Sequence, residues 1–231
     1  MGKRVAILQS NYIPWKGYFD LVNSVDEFIL FDDMQYTRRD WRNRNKIKTP
    51  EGSAWMTIPV NVKGKYYQKI NETQVVNHTW TKDHWKTLLH NYGKAKYFSD
   101  LKDEILELYE TASQFLFLSD INYLFIDFIC RLLNIRTKLS WSSDYEVVEG
   151  KNQRLISLCK QAGGEHYISG PSAKDYIDID QFAQFGLEVT FFDYSGYPEY
   201  EQRFPPFEHS VSILDLLFNE GDRTSQFMKS F

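Results

Sequence analysis

The chain has 231 residues, of which 42% are hydrophobic and 25% charged, and its 27 basic side chains against 31 acidic ones give a net charge of -4. That is long enough to bury a full core as one large domain and too apolar for general disorder. The acidic balance argues against whole-molecule attraction to nucleic acid or anionic membrane. No apolar run approaches the ~20 residues that cross a bilayer, and the opening apolar strand is shorter than the ~7–15-residue core of a signal peptide. Cys130 and Cys159 both sit in apolar helical patterns and read as buried reduced thiols, not as a disulfide or metal framework. A cytoplasmic protein is expected. Aromatic residues reach 16%, which a packed core explains, as would a cleft that stacks rings against a planar or sugar ligand.

In chain order, residues 5–8 (Val-Ala-Ile-Leu) form a short apolar run that reads as a buried strand. A loop over 9–14 leads to helical spacing over 15–24, with Tyr18, Leu21 and Val22 on one face, and a second strand spans 27–31. Strand, helix and strand within this length predict a parallel pair with a right-handed crossover. Residues 34–48 are polar and basic and are expected to form a loop. Residues 54–62 alternate like a strand, with Pro59 placing it at an edge or a strand end. Gly64 then makes a turn into further strand character over 66–76, an expected antiparallel hairpin. Helices are predicted over 81–92, capped by Thr79 or Thr81, and over 100–118 and 121–133. The end returns to alternation: strand 137–141, helix 152–162 closed by Gly163-Gly164, strand 166–169, helix 179–185, strand 187–192 and helix 212–219. The expected fold class is α/β, a mainly parallel Rossmann-like sheet with a helical middle insertion. It is one domain over 1–231, with 80–135 as the helical subregion.

Ligands of such sheets bind beyond the carboxyl ends of the strands, so the three turns there carry the candidate chemistry. The first turn offers Gln9, Asn11, Tyr12 and Lys16, with Gly17 permitting close approach to backbone. It is similar to the turn in nucleotidyltransferases where two histidines flank a glycine. Trp15 and Tyr18 stand at those positions, so that adenylyl-transfer chemistry is not supported. The second turn, 32–48, places six cations against one anion from Arg38 onward, interleaved with aromatics. Arginine forks suit phosphate or carboxylate, and rings between them stack on a base or sugar. Gln35, Tyr36, Arg38, Trp41, Arg42, Asn43, Arg44 and Lys46 are its candidate binding residues. Asp32 and Asp33 end the strand on opposite faces. Asp33 is the member expected to face the pocket as a general base, the alternative being an ion pair with Arg42 or Arg44. The third turn brings Ser169, Ser172 and Lys174, without the spacing of a phosphate-binding P-loop; the alternative role of Ser172 is a helix N-cap. His84 and His90 are spaced wrongly for a helical metal pair and no Gly-x-Ser-x-Gly elbow occurs, so zinc and acyl-enzyme chemistry are not expected; no metal ligand is assigned, and the cofactor and metal dependence stay open.

The opening residues 5–20, the arginine-rich run 32–48, the segment 167–174 and the closing 212–219 together resemble the WbqC-like protein family over nearly the whole chain. The resemblance implies a bacterial enzyme of surface-polysaccharide (O-antigen) synthesis, a transferase acting on a nucleotide-linked amino sugar, with N-acyl or aminoacyl transfer as its reaction. One departure is Tyr197, where a His is expected before Pro198. With that implication, Arg42, Arg44 and Lys46 would neutralise the diphosphate and Trp41 or Tyr36 would stack. Asn11, Asp33 and Asn43 would bond the sugar, with Asp33 and Lys16 the catalytic candidates. The partner is a nucleotide-linked sugar or another phosphorylated small molecule; the oligomeric state stays open. The rivals are a single-strand nucleic-acid binder, disfavoured by the net charge, and a non-catalytic partner protein.

Overall fold

A computed structural model describes residues 2–231. In chain order its elements are β1 (Arg4–Leu8), α1 (Lys16–Asn23), β2 (Glu27–Leu30), β3 (Arg44–Thr49), β4 (Gly52–Thr57), α2 (Thr79–Tyr92), α3 (Phe98–Ala112) and α4 (Leu118–Leu132). β5 (Lys138–Trp141), α5 (Lys151–Gln161), β6 (His166–Ser169), α6 (Ile179–Gln184), β7 (Glu188–Phe191) and α7 (Ile213–Glu220) follow. Five strands pair in parallel in the order β5-β2-β1-β6-β7, and β3 and β4 make a separate antiparallel pair. The expected Rossmann-like α/β class is what the chain adopts.

Side-chain alternation sets the layers. Ala6, Phe28 and Leu30 pack with α1, α2, α3, α4 and α7, whereas Val5, Ile7 and Ile29 pack with Leu155, Ile156, Cys159 and Phe182 of α5 and α6. Period-two alternation splits each strand between two cores in this way. Winding runs outward from β1 through β2 to β5, then returns to β6 and outward to β7, so its direction reverses between β1 and β6. The carboxyl ends of those two strands are where a crevice for ligands forms in this architecture. The end of α5 is drawn tightly onto β1: a Cβ added to Gly164 would sit 2.7 Å from Val5 Cγ2, so only glycine fits. Cys130 and Cys159 are buried free thiols, and burial pushes both up to about 12.

Three local expectations change. The hairpin lies one strand earlier in the chain: basic residues 44–49 form β3 and pair with β4, while 58–76 carry only isolated bridges such as Val60 with Val75. Residues 44–48 hide their strand character because Arg44 and Lys46 alternate with Asn45 and Ile47, so polar residues occupy both faces and only Ile47 marks the buried one. The helix expected over 100–118 stops at Ala112, and Leu118 opens α4, its N–H donating to the Thr73 carbonyl at 2.8 Å. Neither Thr79 nor Thr81 caps α2 with its side chain; Asn77 Oδ1 does so for the Thr79 N–H at 3.0 Å. No helix among the described residues is long and apolar enough to cross a membrane.

At the amino end of the sheet, Glu27 is fully buried. Burial alone would raise its carboxyl, but Lys3 at 2.7 Å, Ser140 at 2.6 Å, Tyr145 and Lys138 hold it down at about 2. A carboxyl lowered by folding stabilises the protein above its unfolded value, and that contribution fades as pH falls through the folded value. We expect stability to drop by roughly 2–3 kcal/mol between about pH 4.5 and pH 2 through this group. Glu27→Gln is expected to flatten that part of the profile in pH-dependent urea titrations, and an unchanged acid limb would contradict the assignment.

Candidate functional site

The carboxyl edge of β1 and β2 is built around a buried carboxylate. Asp32 accepts from the Ser10 N–H at 2.8 Å and the Ser10 hydroxyl at 2.6 Å, and also from the Ser119 hydroxyl of α4. Burial pushes its carboxyl up, opposed by these donors and by Arg42. Asn122, a turn further along α4, donates to the Ser10 hydroxyl and to the Arg42 carbonyl, each at 2.9 Å. Arg42 in turn donates to Asn11 Oδ1 and to the Ser10 carbonyl at 3.3 Å. The loop after β1 and the arginine-rich segment are thereby tied into one unit. The Tyr12 N–H completes the tie by donating to the Trp41 carbonyl at 3.1 Å.

Beside this unit lies a hollow of about 220 Å³ lined by Asn11, Pro14, Trp15, Trp41, Asn45 and Ser210. Two indoles form walls; the Asn45 carboxamide is engaged with the Tyr12 and Ile13 carbonyls and the Lys46 N–H, and the Ser210 hydroxyl donates to Glu208, so the Asn11 amide is the group left to offer a bond. Trp15 is backed by Tyr194 and Tyr197, at centroid distances of 5.3 and 5.5 Å. Trp41 packs on Trp55 at 5.0 Å, and the Arg44 guanidinium lies 4.0 Å over the Trp55 ring, with Lys46 at 5.5 Å. Among the described residues, Lys16, Arg44, Lys46 and Lys48 form no salt bridge. Carboxylates nevertheless stand near these cations without pairing directly: Glu199 near Lys16, Glu208 near Lys46 and Lys48, and Asp40 near Arg44.

Residues 192–212 contain no helix or strand and cover this face. Lys16, at the first turn of α1, is buried and donates to the Pro198 carbonyl at 2.9 Å, with the rings of Tyr197 and Tyr200 within 5.0 and 5.2 Å. Burial lowers its amine to about 8, against the pull of Asp20 and Glu199. The positive end of α1 adds to its cost. His209 neighbours Ser210; burial and Lys16 lower its pKa, and its buried Nδ1 has no hydrogen-bond partner. A neutral imidazole with a vacant ring nitrogen is suited to accepting a proton.

The remaining candidates divide clearly. Asn11, Trp41, Arg44 and Lys46 lie in or beside the hollow, and Arg42 supports it from behind. Asn43 is buried behind β4, its carboxamide donating to the Ile58 carbonyl at 2.8 Å. Tyr12 is wholly buried, its hydroxyl 2.9 Å from His84 Nδ1 and 2.8 Å from the Tyr109 hydroxyl, so it is core and touches no ligand. Tyr36 is likewise core. Gln35 and Arg38 hold the loop beyond β4, donating to the carbonyls of Tyr66 and Val62 at 2.9 and 2.8 Å. Asp33 points away from the arginines: Phe28, Leu30 and Asp32 share one face, and Ile29, Phe31 and Asp33 the other. There Asp33 pairs with Arg154 of α5, not with Arg42 or Arg44, and accepts from the Ser142 hydroxyl at 2.7 Å. Gln9 follows Ile7 onto that same face. Ser169 is buried under Tyr167, whose hydroxyl donates to it at 3.2 Å, while Ser172 and Lys174 are exposed on a 3-10 turn away from the hollow, with Gly170 as the capping position. Trp15, Asn45, His209 and Ser210 were not among the sequence candidates. A structureless stretch as long as 192–212 inside a compact fold was the available signal for the last two. Among the described residues no group of three or more His, Cys, Asp or Glu side chains could hold a metal ion.

The chain is thus an α/β protein of Rossmann-like topology with a hollow bordered by three loops at the carboxyl edge of its sheet. The WbqC-like protein family model matches residues 9–227, and the chain belongs to that family. It is 50% identical over 227 residues to the uncharacterized protein Rv1507c of Mycobacterium tuberculosis, covering 98% of each chain. No solved structure matches it.

Replacing Arg42 with Ala removes the donors to Asn11 and to the Ser10 carbonyl and leaves those acceptors unmet. A loss of roughly 2–4 kcal/mol in urea unfolding is expected, as for other broken buried networks. A variant as stable as the parent would show that Arg42 is not structural and would return it to the list of free ligand groups.

Proposed function

We propose that this protein is a transferase that modifies a nucleotide-linked amino sugar, by N-acyl or aminoacyl transfer, in bacterial surface-polysaccharide (O-antigen) synthesis. The observation that carries the proposal is the hollow between Trp15 and Trp41 with Asn11, Asn45 and Ser210 in its lining. Indole faces pack against the C–H face of a sugar ring, and the Asn11 amide meets its edge groups. At about 220 Å³ the hollow is smaller than the ~300–1,000 Å³ sites of drug-sized ligands, and suits one hexose ring rather than a whole nucleotide sugar. The diphosphate would then lie along Arg44 and Lys46, which have no carboxylate partner to displace, with the half-exposed Trp55 as a stacking surface.

An amine acceptor must lose a proton before or as it attacks an acyl carbon. Asp33 faces the opposite side of the sheet, so His209 takes the role of proton acceptor in this proposal, with the cation of Lys16 close to the developing negative charge. The Trp41–Trp55–Arg44 ladder also has the form of a single-strand nucleic-acid platform. The hollow between the indoles and the acidic net charge favour the sugar.

Uridine- and thymidine-diphosphate amino sugars are expected to raise the melting temperature by roughly 5–10 °C at about a hundred times Kd. Trp41→Ala and Lys46→Ala should each remove most of that rise without lowering the melting temperature of the unliganded protein by more than a few degrees. Equal shifts in parent and variants would contradict the site. Salt-sensitive retention on single-stranded DNA with no response to any nucleotide sugar would favour the ladder reading instead.

A further inference from the structure

A second and larger cavity lies on the other face of the sheet, in none of the roles assigned so far. Its volume is about 450 Å³, and its lining includes Gln9, Phe31, Met34, Lys151, Arg154 and Tyr176. The floor is the carboxyl end of β1 and the residues just past β2, and the wall is the first turn of α5. This is the crevice in which sheets of this winding take their ligands. We propose that it binds a nucleoside phosphate, with the ring system among Phe31, Met34 and Tyr176 and the phosphates at Lys151 and Arg154. The inference does not depend on what occupies the tryptophan hollow.

The two cations are placed rather than loose. The Lys151 ammonium lies 3.7 Å from the centroid of the Tyr176 ring, and the Arg154 guanidinium lies 5.2 Å from that of Phe31. Cation–aromatic contacts of this kind hold a charge in position while leaving its N–H groups for an anion. Asp33 pairs with Arg154 and is itself fixed by Ser142, so the guanidinium is oriented before any ligand arrives. Burial lowers the pKa of Arg154, a cost that an added anion would relieve. With Lys151 and Arg154 against Asp33, the cavity keeps a net positive charge beside an apolar interior made by Ile7, Phe31, Met34 and Leu155. An apolar slot joined to a cationic rim matches a ligand that is flat at one end and multiply anionic at the other. Its volume falls within the ~300–1,000 Å³ range of small-molecule sites. The one carboxamide in the lining, Gln9, is too little to read a base edge, so stacking and phosphate contacts carry the recognition and several bases should be accepted.

The test is isothermal titration with ADP and UDP, with adenosine and inorganic phosphate as partial probes. Both diphosphates should bind saturably below 1 mM (on the scale of roughly -4 kcal/mol), and each partial probe should bind about tenfold more weakly or worse. Lys151→Glu, at an exposed position, should weaken ADP about tenfold or more, as the loss of a charge-assisted contact does. Arg154→Gln should do the same, and Lys160→Ala at the exposed far end of α5 serves as a control for folding. In Trp41→Ala a saturable ADP site should remain that Lys151→Glu removes, which separates this cavity from the tryptophan hollow. The proposal is overturned if neither diphosphate saturates, if phosphate alone binds as tightly as ADP, if Lys151→Glu binds ADP like the parent, or if Trp41→Ala abolishes binding.

Discussion

Removing a carboxylate from water costs several kcal/mol unless the fold supplies donors in its place, and at Asp32 three parts of the chain do so. The Ser10 amide and hydroxyl come from the loop after β1, the Ser119 hydroxyl from α4, and Arg42 stands behind with its positive charge. Two of these groups, Ser10 and Arg42, also hold something else. Ser10 receives Asn122, and Arg42 reaches Asn11 and the backbone of the first loop. The result is that the helical middle, the first loop and the arginine-rich segment cannot shift independently. The hollow that they border is shaped before any ligand enters, which is the condition under which binding groups lose least on association.

A second buried carboxylate does comparable work on the covering segment. Asp215 of α7 accepts from the hydroxyls of Tyr92 and Tyr200 at 2.7 and 2.8 Å and from Gln202 at 2.9 Å. It thereby pins the irregular stretch 192–212 against α2 and α7, and that stretch in turn encloses Lys16 and Lys48 with main-chain carbonyls. Both amines are buried and bonded to carbonyl oxygens instead of carboxylates, while Arg44 and Lys46 lie over the Trp55 ring. The opposite face carries Lys151 and Arg154, the latter paired with Asp33.

β1 and β2 were legible because they are short apolar runs buried on both faces, and the helices because their apolar positions recur at helical spacing. β3 was not, since its alternation sets cations against an asparagine and a single isoleucine. The opposite orientations of Asp32 and Asp33 followed from strand geometry, but which one faces the arginines depends on partners far along the chain, Ser119 for one and Arg154 for the other. Tyr12 looked like a ligand residue because it sits in a functional turn, and only the distant His84 and Tyr109 show that its hydroxyl is already engaged. The arginine-rich segment was recognisable as special, yet its members divide into Arg42, which builds the site, and Arg44 with Lys46, which border it. Such a division is made by tertiary contacts and has no local signature.

The most direct measurement of the organising role of Asp32 is native-state hydrogen exchange at the Ser10 amide, whose acceptor is that carboxylate at 2.8 Å. If the buried carboxylate clamps the loop, this amide will exchange with an opening free energy within about 1 kcal/mol of the β1 amides of Ala6 and Ile7, despite lying outside any strand. Opening at roughly 0–2 kcal/mol, as for a mobile surface loop, would show that the clamp does not exist and that the hollow is not held in shape.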